Sequence, residues 1–402
     1  MSKAEEIIRD VEEYGAHNYH PLPIVISRGK GVWVWDVEGK KYIDMLSAYS
    51  ALNQGHCHPK IIEAVKEQIE KLTLTSRAFY HDKMGEFFKK LSELTGKEKV
   101  LPMNSGAEAV ETAIKVTRKW GYLKKRVENG KAEIIACEGN FHGRTVTIVS
   151  FSTEEQYKNG FGPFTPGFKI IPYGDSKALK KAITKNTVGF LVEPIQGEGG
   201  VIVPPSGYLQ ECYKICKENN VLFIADEIQT GLGRTGKLFA CDHEEVKPDI
   251  YILGKALSGG FYPVSAICCD NYIMDVLEPG DHGSTFGGSS IACAAGIASL
   301  NVILEERLCE KAEEMGKYFM QKLRQMNSPH VDHIRGKGLL IGVVIKESSG
   351  LARPFCEKLM EEGILAKETH HSVIRFAPPL VITKDEIDWA LTKIAKVLGG
   401  KI

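Results

Sequence analysis

Residues 221–260 read VLFIADEIQTGLGRTGKLFACDHEEVKPDIYILGKALSGG. Two short apolar runs inside this stretch, VLFIA at 221–225 and DIYIL at 249–253, have the length and continuous hydrophobicity of strands buried on both faces of a parallel sheet. Each run ends in charge: Asp226 and Glu227 follow the first, and Lys255 follows the second. In open α/β sheets the carboxyl ends of the strands are where ligands bind. An acid and a lysine are therefore delivered side by side to a ligand-binding edge.

That pair admits two readings. It is a buried Asp–Lys ion pair in an ordinary α/β domain, or it is the acid and amine of a pyridoxal phosphate site, in which the lysine forms the Schiff base and the acid faces the pyridine nitrogen. The surrounding sequence decides between them. The 402 residues, 43% hydrophobic and 25% charged, suffice for one large domain and a smaller one. Lys plus Arg and Asp plus Glu balance at 51 each, so no net field favours nucleic acid or a membrane surface, and small acidic metabolites must be held by local cations. The first residues, MSKAEEIIRDVEEYG, are acidic and helix-like, unlike a transit or signal peptide, and no apolar run approaches the ~18 residues of a membrane span. A cytoplasmic location is expected, or the mitochondrial matrix if a presequence has been removed. The ten cysteines are scattered without a CxxC pair and read as free thiols in a reducing compartment. His56 and His58 flank Cys57, but no further ligands lie at suitable spacing, so no metal site is expected.

Working outward from the central stretch, GAHNYHPLP (15–23) reads as an ordered loop, and GVWVWDVEGKKYIDM (31–45) as a β-hairpin around a D-x-E-G turn. Ser105-Gly106-Ala107-Glu108 is a capping box that opens a helix, and its exposed amides and dipole make a natural phosphate cradle. EIIACEGNFHGRT (133–145) is a buried strand followed by a loop with Phe141, His142 and Arg144, able to stack on a planar cofactor and to pair with a carboxylate. VGFLVEPIQGEGG (188–200) ends a further strand at Glu193 and places Gln196 and Glu198 in a glycine-rich loop suited to close ligand approach. Ser284-Thr285 precede a double glycine and a helix rich in small residues, a second candidate phosphate contact. From about residue 300 a helix, the strand pair HIRGKGLLIGVVI, another helix, the strand VIRFAPPLVI with Arg375 and a closing helix read as an α+β unit joined by the N-terminal hairpin. The expected organisation is an N-terminal segment 1–47 belonging to the small domain, a large cofactor domain 48–295 and a C-terminal small domain 296–402.

The stretches SGAEA, NFHGRT, VEPIQGEGG, LFIADEIQTGLGRTG, LGKALSGGFYPVSA and HGSTFGG, in this order, resemble the class III aminotransferases, pyridoxal phosphate enzymes of fold type I. YGAHNYHPLP, LSAYSALNQGHCHP, KLTLTSRAFY, RGKGLL and RFAPPLVI resemble the ornithine-directed branch more than the acetylornithine or 4-aminobutyrate branches. One departure stands out: the family has Gly-Gly-Asn-Pro where this chain has Gly287-Gly288-Ser289-Ser290. The resemblance implies a large, mostly parallel-sheet α/β domain, a smaller α+β domain and a homodimer whose two sites are each built from both chains. It implies that Lys255 holds the cofactor and moves the proton, that Asp226 keeps the pyridine nitrogen protonated, and that Gln229 bonds the phenolic oxygen. Phe141 would cover a ring face beside His142, and Ser105, Gly106 and Ala107 would hold the phosphate, with Ser284 and Thr285 reaching it from the second subunit. Tyr19, Tyr49 and Arg144 would bind L-ornithine, and Arg375 the α-carboxylate of glutamate or 2-oxoglutarate. Glu198 would pair with Arg375 during the ornithine half. The competing expectations are another class III ω-aminotransferase, an intramolecular aminomutase and a non-catalytic binding protein.

Overall fold

The structure, a computed structural model, describes residues 1–401. The N-terminal strands are β1 (Ile26–Lys30), β2 (Trp33–Asp36) and β3 (Lys41–Asp44). The middle of the chain supplies β4 (Lys99–Met103), β5 (Glu133–Cys137), β6 (Phe168–Ile171), β7 (Thr187–Val192), β8 (Leu222–Asp226), β9 (Ile250–Leu253) and β10 (Ser265–Cys269). The C-terminal part supplies β11 (Val331–Lys337), β12 (Leu340–Ile345), β13 (Ile364–Leu365), β14 (Lys367–Thr369) and β15 (Val373–Phe376).

The seven middle strands form one sheet in the order β4-β10-β9-β8-β7-β5-β6. From β9 to β6 every neighbouring pair is parallel, whereas β10 runs antiparallel to both β9 and β4. The apolar runs 221–225 and 249–253 thus become adjacent central strands, as their unbroken hydrophobicity requires. Their side chains alternate between two cores. Leu222 and Ile224 pack with Ala109, Val110 and Ala113 of the helix Gly106–Leu123, while Phe223 and Ala225 pack with Leu209, Cys212 and Cys216 of the helix Tyr208–Glu218 on the opposite face. Each large side chain buried in this way contributes about 1.5–3 kcal/mol, so the sheet is a rigid base for what its edge carries.

Two smaller sheets complete the fold, in the orders β1-β2-β3-β13 and β11-β12-β15-β14. The N-terminal hairpin is thus extended by a C-terminal strand, β13, which pairs parallel to β3. The helix Ser290–Glu305 is continuous across residue 295. It is buried on nearly every side, and at Gly296 an added Cβ would lie 2.5 Å from the Phe87 ring, so the helix Asp82–Thr95 approaches closely only because that position is glycine. All ten cysteines are free thiols, eight of them buried. Among the described residues no group of three or more His, Cys, Asp or Glu is placed to hold a metal ion, and no helix is long and apolar enough to cross a membrane.

Candidate active site

Four adjacent parallel strands deliver their carboxyl ends to one cleft of about 150 Å³, lined by Gly106, Ala107, Phe141, His142, Glu193, Glu198, Asp226, Gln229 and Lys255 among others. Asp226 is the last residue of β8; Lys255 comes two residues after β9, Glu193 directly after β7, and Phe141 and His142 just after β5. The oxygens of Asp226 are taken by His142 Nδ1 at 2.6 Å and by the Ile228 amide at 3.1 Å. The side-chain partner of Asp226 at this edge is therefore His142, and no Asp226–Lys255 ion pair forms among the described residues. Burial opposes a charge on His142, but the hydrogen bond and charge of Asp226 outweigh it and raise the imidazole pKa. Lys255 sits in a left-handed conformation (φ +43°), and burial lowers its pKa, with the charges of Glu198 and Asp226 opposing.

The helix Gly106–Leu123 points its N-terminus at the cleft. Ser105 is its N-cap, and both its hydroxyl and its amide are engaged by Glu108, the amide at 2.7 Å from Oε2. The first-turn amides of Gly106 and Ala107 are thereby left as the donors, since helix geometry gives them no intrahelical acceptor. Ser284 Oγ accepts from Asn104 Nδ2 at 2.8 Å and from the Gly287 amide at 3.0 Å, while Thr285 is exposed and lies outside this cleft. The Gly287–Ser290 departure leaves the helix start intact. Ser289 caps it by accepting from the Ala292 amide at 3.2 Å, and Ser290 Oγ donates to the Leu72 and Thr73 carbonyls at 2.7 and 2.9 Å. Serine caps as well as asparagine, and the Ser290 hydroxyl adds two contacts that a proline cannot make.

At the other end of the cleft Glu198 Oε1 accepts from Arg375 Nη1 at 2.6 Å and from Gln229 Nε2 at 3.1 Å. Burial would raise the Glu198 carboxyl, but the charges of Arg375 and Lys255 and these hydrogen bonds hold it at about 2. Gln229 fits there only because residue 197 is glycine: an added Cβ would lie 1.6 Å from Gln229 Oε1. Arg375, 1% exposed on β15, has Tyr49 beside it, 5.0 Å from guanidinium carbon to ring centroid. Tyr49 and the largely exposed Tyr19 line a second, more apolar cavity of about 510 Å³. The Arg144 guanidinium lies 4.1 Å from the Tyr157 ring centroid and 5.8 Å from that of Phe141.

Lys255, Asp226, Gln229, Phe141, His142, Gly106, Ala107 and Glu198 thus share one cleft, with Arg375 bound to its rim; Tyr19, Ser284 and Thr285 stand apart from it within one chain. Sequence reasoning gave no role to Tyr157 or Glu193. Glu193 accepts from the Phe141 amide at 2.9 Å and the Gly197 amide at 3.3 Å, tying the two loops together, and burial pushes its carboxyl up to about 7. Its place directly after a buried strand was the available signal; Tyr157, in the polar stretch TEEQYKNG (153–160), offered none.

Buried His142 Nε2, Gln229 Oε1, Arg375 Nε and Arg375 Nη2 have no hydrogen-bond partner in this chain. With a lysine, a carboxylate and free helix amides converging on the same space, they fit a planar, phosphorylated, electron-withdrawing cofactor. Lys255, Asp226, Gln229 and the Gly106–Ala107 amides would hold it. A mostly parallel sheet with this edge defines a pyridoxal phosphate-dependent transferase of fold type I. Residues 14–398 match the family described as aminotransferase class-III, and the chain belongs to that family. It is 62% identical over 400 residues, covering all of both chains, to a curated ornithine aminotransferase from Geobacillus sp. (strain WCH70). The solved ornithine aminotransferase from Toxoplasma gondii superposes with a TM-score of 0.97 at 48% identity, covering 98% of this chain and 94% of that one. A solved acetylornithine aminotransferase from Elizabethkingia anophelis gives 0.90 at 51% identity, covering 99% of each. The protein is a pyridoxal phosphate-dependent transaminase.

Proposed function

We propose that this enzyme transfers the δ-amino group of L-ornithine to 2-oxoglutarate, giving glutamate-5-semialdehyde, which cyclises to pyrroline-5-carboxylate, and glutamate. The observation that supports this reading most directly is the Glu198–Arg375 pair at 2.6 Å on the rim of the cleft. The enzyme must bring a terminal amine to the cofactor in one half-reaction and an α-amine in the other, so the carboxylate to be recognised sits at two different distances. Arg144 takes the α-carboxylate of ornithine, with Tyr19 contacting its α-amine and Tyr49 lining the pocket, while Glu198 keeps Arg375 engaged. When a dicarboxylate arrives, Glu198 releases Arg375, which binds the α-carboxylate through a two-pronged pair.

When bound, pyridoxal phosphate supplies a carbonyl carbon that takes up the amine and a ring that withdraws electrons from it. Lys255 Nζ, whose pKa burial lowers, would take the proton from the substrate carbon bearing the amine and deliver it to the cofactor carbon that holds that amine. Asp226, fixed by His142, would face the ring nitrogen and favour its protonated form. Gln229 would orient the phenolic oxygen, and Phe141 would cover the ring from one side.

The functional unit in this proposal is a homodimer in the cytoplasm. Phe79 and Tyr80 are 71% and 95% exposed, and their neighbour His81 bonds the Gly288 carbonyl at 2.8 Å on the Thr285 loop, where Phe286 is also exposed. A second copy covering this aromatic patch would bring Thr285 to its partner's phosphate site. The substrate assignment is tested by offering L-ornithine, N-acetylornithine and 4-aminobutyrate in turn with 2-oxoglutarate. Pyrroline-5-carboxylate from ornithine, at a kcat/KM well above either competitor, is expected; a preference for N-acetylornithine would overturn the assignment, and product formed without any oxo acid would point to an aminomutase.

A further inference from the structure

Arg234 belongs to the same 221–260 stretch as Asp226 and Lys255 but does not line the cleft. It is 0% exposed, and its guanidinium donates to four oxygens, none of them a carboxylate. Nη1 reaches the Leu339 and Pro378 carbonyls at 2.9 and 2.6 Å, and Nη2 reaches Ser47 Oγ and Asn53 Oδ1 at 3.0 and 2.5 Å. Burying a cation away from any carboxylate is costly, and burial lowers its pKa to about 9, the charge of Asp44 opposing. An apolar side chain here would leave four buried acceptors without this donor, so the guanidinium and its acceptors form one unit.

The four acceptors lie on segments that converge on the substrate end of the site. Ser47 opens a turn, Ser47–Ser50, whose four residues all have left-handed backbones, with φ of 46°, 48°, 58° and 71°. None is glycine, and each such residue costs ~1–2 kcal/mol, so the turn must be held from outside. Asp44 Oδ1 accepts from the Leu46 and Ser47 amides at 2.8 Å each, and Ser47 Oγ donates to the Ala377 carbonyl at 2.6 Å. Within this turn sits Tyr49, 5.0 Å from the Arg375 guanidinium carbon. Asn53 lies just beyond the turn, and Pro378 lies three residues beyond Arg375. Leu339 directly precedes β12, whose Gly342 faces Arg375 across the ladder. Both partners of the Tyr49–Arg375 contact are therefore tied to the same guanidinium.

We infer that Arg234 is a positioning residue for dicarboxylate recognition: it locks the left-handed turn carrying Tyr49 to the strand end carrying Arg375, and so fixes where the Arg375 guanidinium meets the substrate. The inference rests on the proposed pairing of Arg375 with the dicarboxylate. A lysine at 234 keeps the charge but has no planar fork with which to reach Ser47 and Asn53 on one side and Leu339 and Pro378 on the other.

The test compares holoenzyme of the wild type with Arg234→Lys and with Ser47→Ala, which removes one acceptor and the Ser47 bond to Ala377 while leaving Arg234 in place. Binding of glutarate, a dicarboxylate with no reacting group, is measured by calorimetry. The rate at which ornithine alone depletes the cofactor's visible absorbance and the melting temperature are recorded alongside. Expected are a loss of about tenfold in glutarate affinity for Arg234→Lys, about 1.4 kcal/mol, a smaller loss in the same direction for Ser47→Ala, and an ornithine rate that changes much less than glutarate binding. Unchanged glutarate affinity in both variants would overturn the inference, as would glutarate binding and ornithine rate falling together in step with melting temperature. If Arg234→Lys does not fold, Ser47→Ala decides alone. A wild type that binds glutarate but ignores ornithine would contradict the substrate assignment, while the glutarate comparison would still decide the role of Arg234.

Discussion

Glu198 is held at about 2 although burial pushes its carboxyl the other way, because the charges of Arg375 and Lys255 outweigh the loss of solvent. A carboxyl whose folded pKa lies below its unfolded value of ~4.3 stabilises the fold above that value and loses the contribution as pH falls towards 2. The Glu198 carboxylate is therefore fully ionised across the neutral range. The ratio of reaction at the δ-amine to that at the α-amine of ornithine should stay flat from about pH 6 to 9, measured by product analysis at each pH; a ratio that titrates within this window would contradict the pairing. Glu198→Ala should raise the share of reaction at the α-amine, because Arg375 is then free to capture the ornithine carboxylate. An unchanged share would remove the switch from the mechanism. Gly197→Ala should displace Gln229, whose Oε1 lies 1.6 Å from the position of the added Cβ. Its expected signature is a fall of about tenfold or more in kcat/KM, the equivalent of ~1.4 kcal/mol, with little change in the unfolding midpoint.

Among the elements, the strained turn Ser47–Ser50 makes a prediction of its own. Ala48→Gly relieves a left-handed penalty of ~1–2 kcal/mol and adds unfolded-chain entropy of ~0.4–1 kcal/mol. The net expectation is a stabilisation of about 0.5–1 kcal/mol, read as a higher denaturant midpoint; destabilisation would show that the turn is not strained in solution. This turn also marks where the sequence stopped being legible. The strands β5, β7, β8 and β9 announced themselves as apolar runs, and Asp226, Lys255 and Glu193 as the charges that end three of them, because strand direction alone sends those residues to one edge. Nothing in LSAYSALN gave a left-handed turn, since serine, alanine and tyrosine favour right-handed backbone and only contacts from Asp44, Arg234 and Ala377 override them. Arg234 was hidden for the same reason: its four acceptors come from residues 47, 53, 339 and 378, a coincidence that no local pattern encodes. The capping box at Ser105 was legible, and it already ties the Ser105 amide to Glu108, so the expectation of an exposed amide at Ser105 fails and the free first-turn amides are those of Gly106 and Ala107.

For the molecule as a whole, the N- and C-terminal segments share a sheet through β3 and β13, and the large sheet presents its carboxyl edge to them. The loop 196–201 is gripped from the C-terminal side, with Thr369 Oγ1 donating to the Glu198 carbonyl at 2.5 Å and Arg335 Nη2 to the Gly200 carbonyl at 2.7 Å. Glu198 is thus held between the large sheet and the sheet that carries Arg375. If the exposed Phe79–Tyr80 patch is covered by a second copy, Tyr80→Asp should give a monomer by light scattering with most of the activity lost, whereas a fully active monomer would dismiss the shared site. The central claim, that one cleft alternates between ornithine and a dicarboxylate, is tested most directly by following the visible absorbance of the holoenzyme. L-ornithine alone should abolish the band and 2-oxoglutarate added afterwards should restore it; a band indifferent to ornithine would contradict the claim.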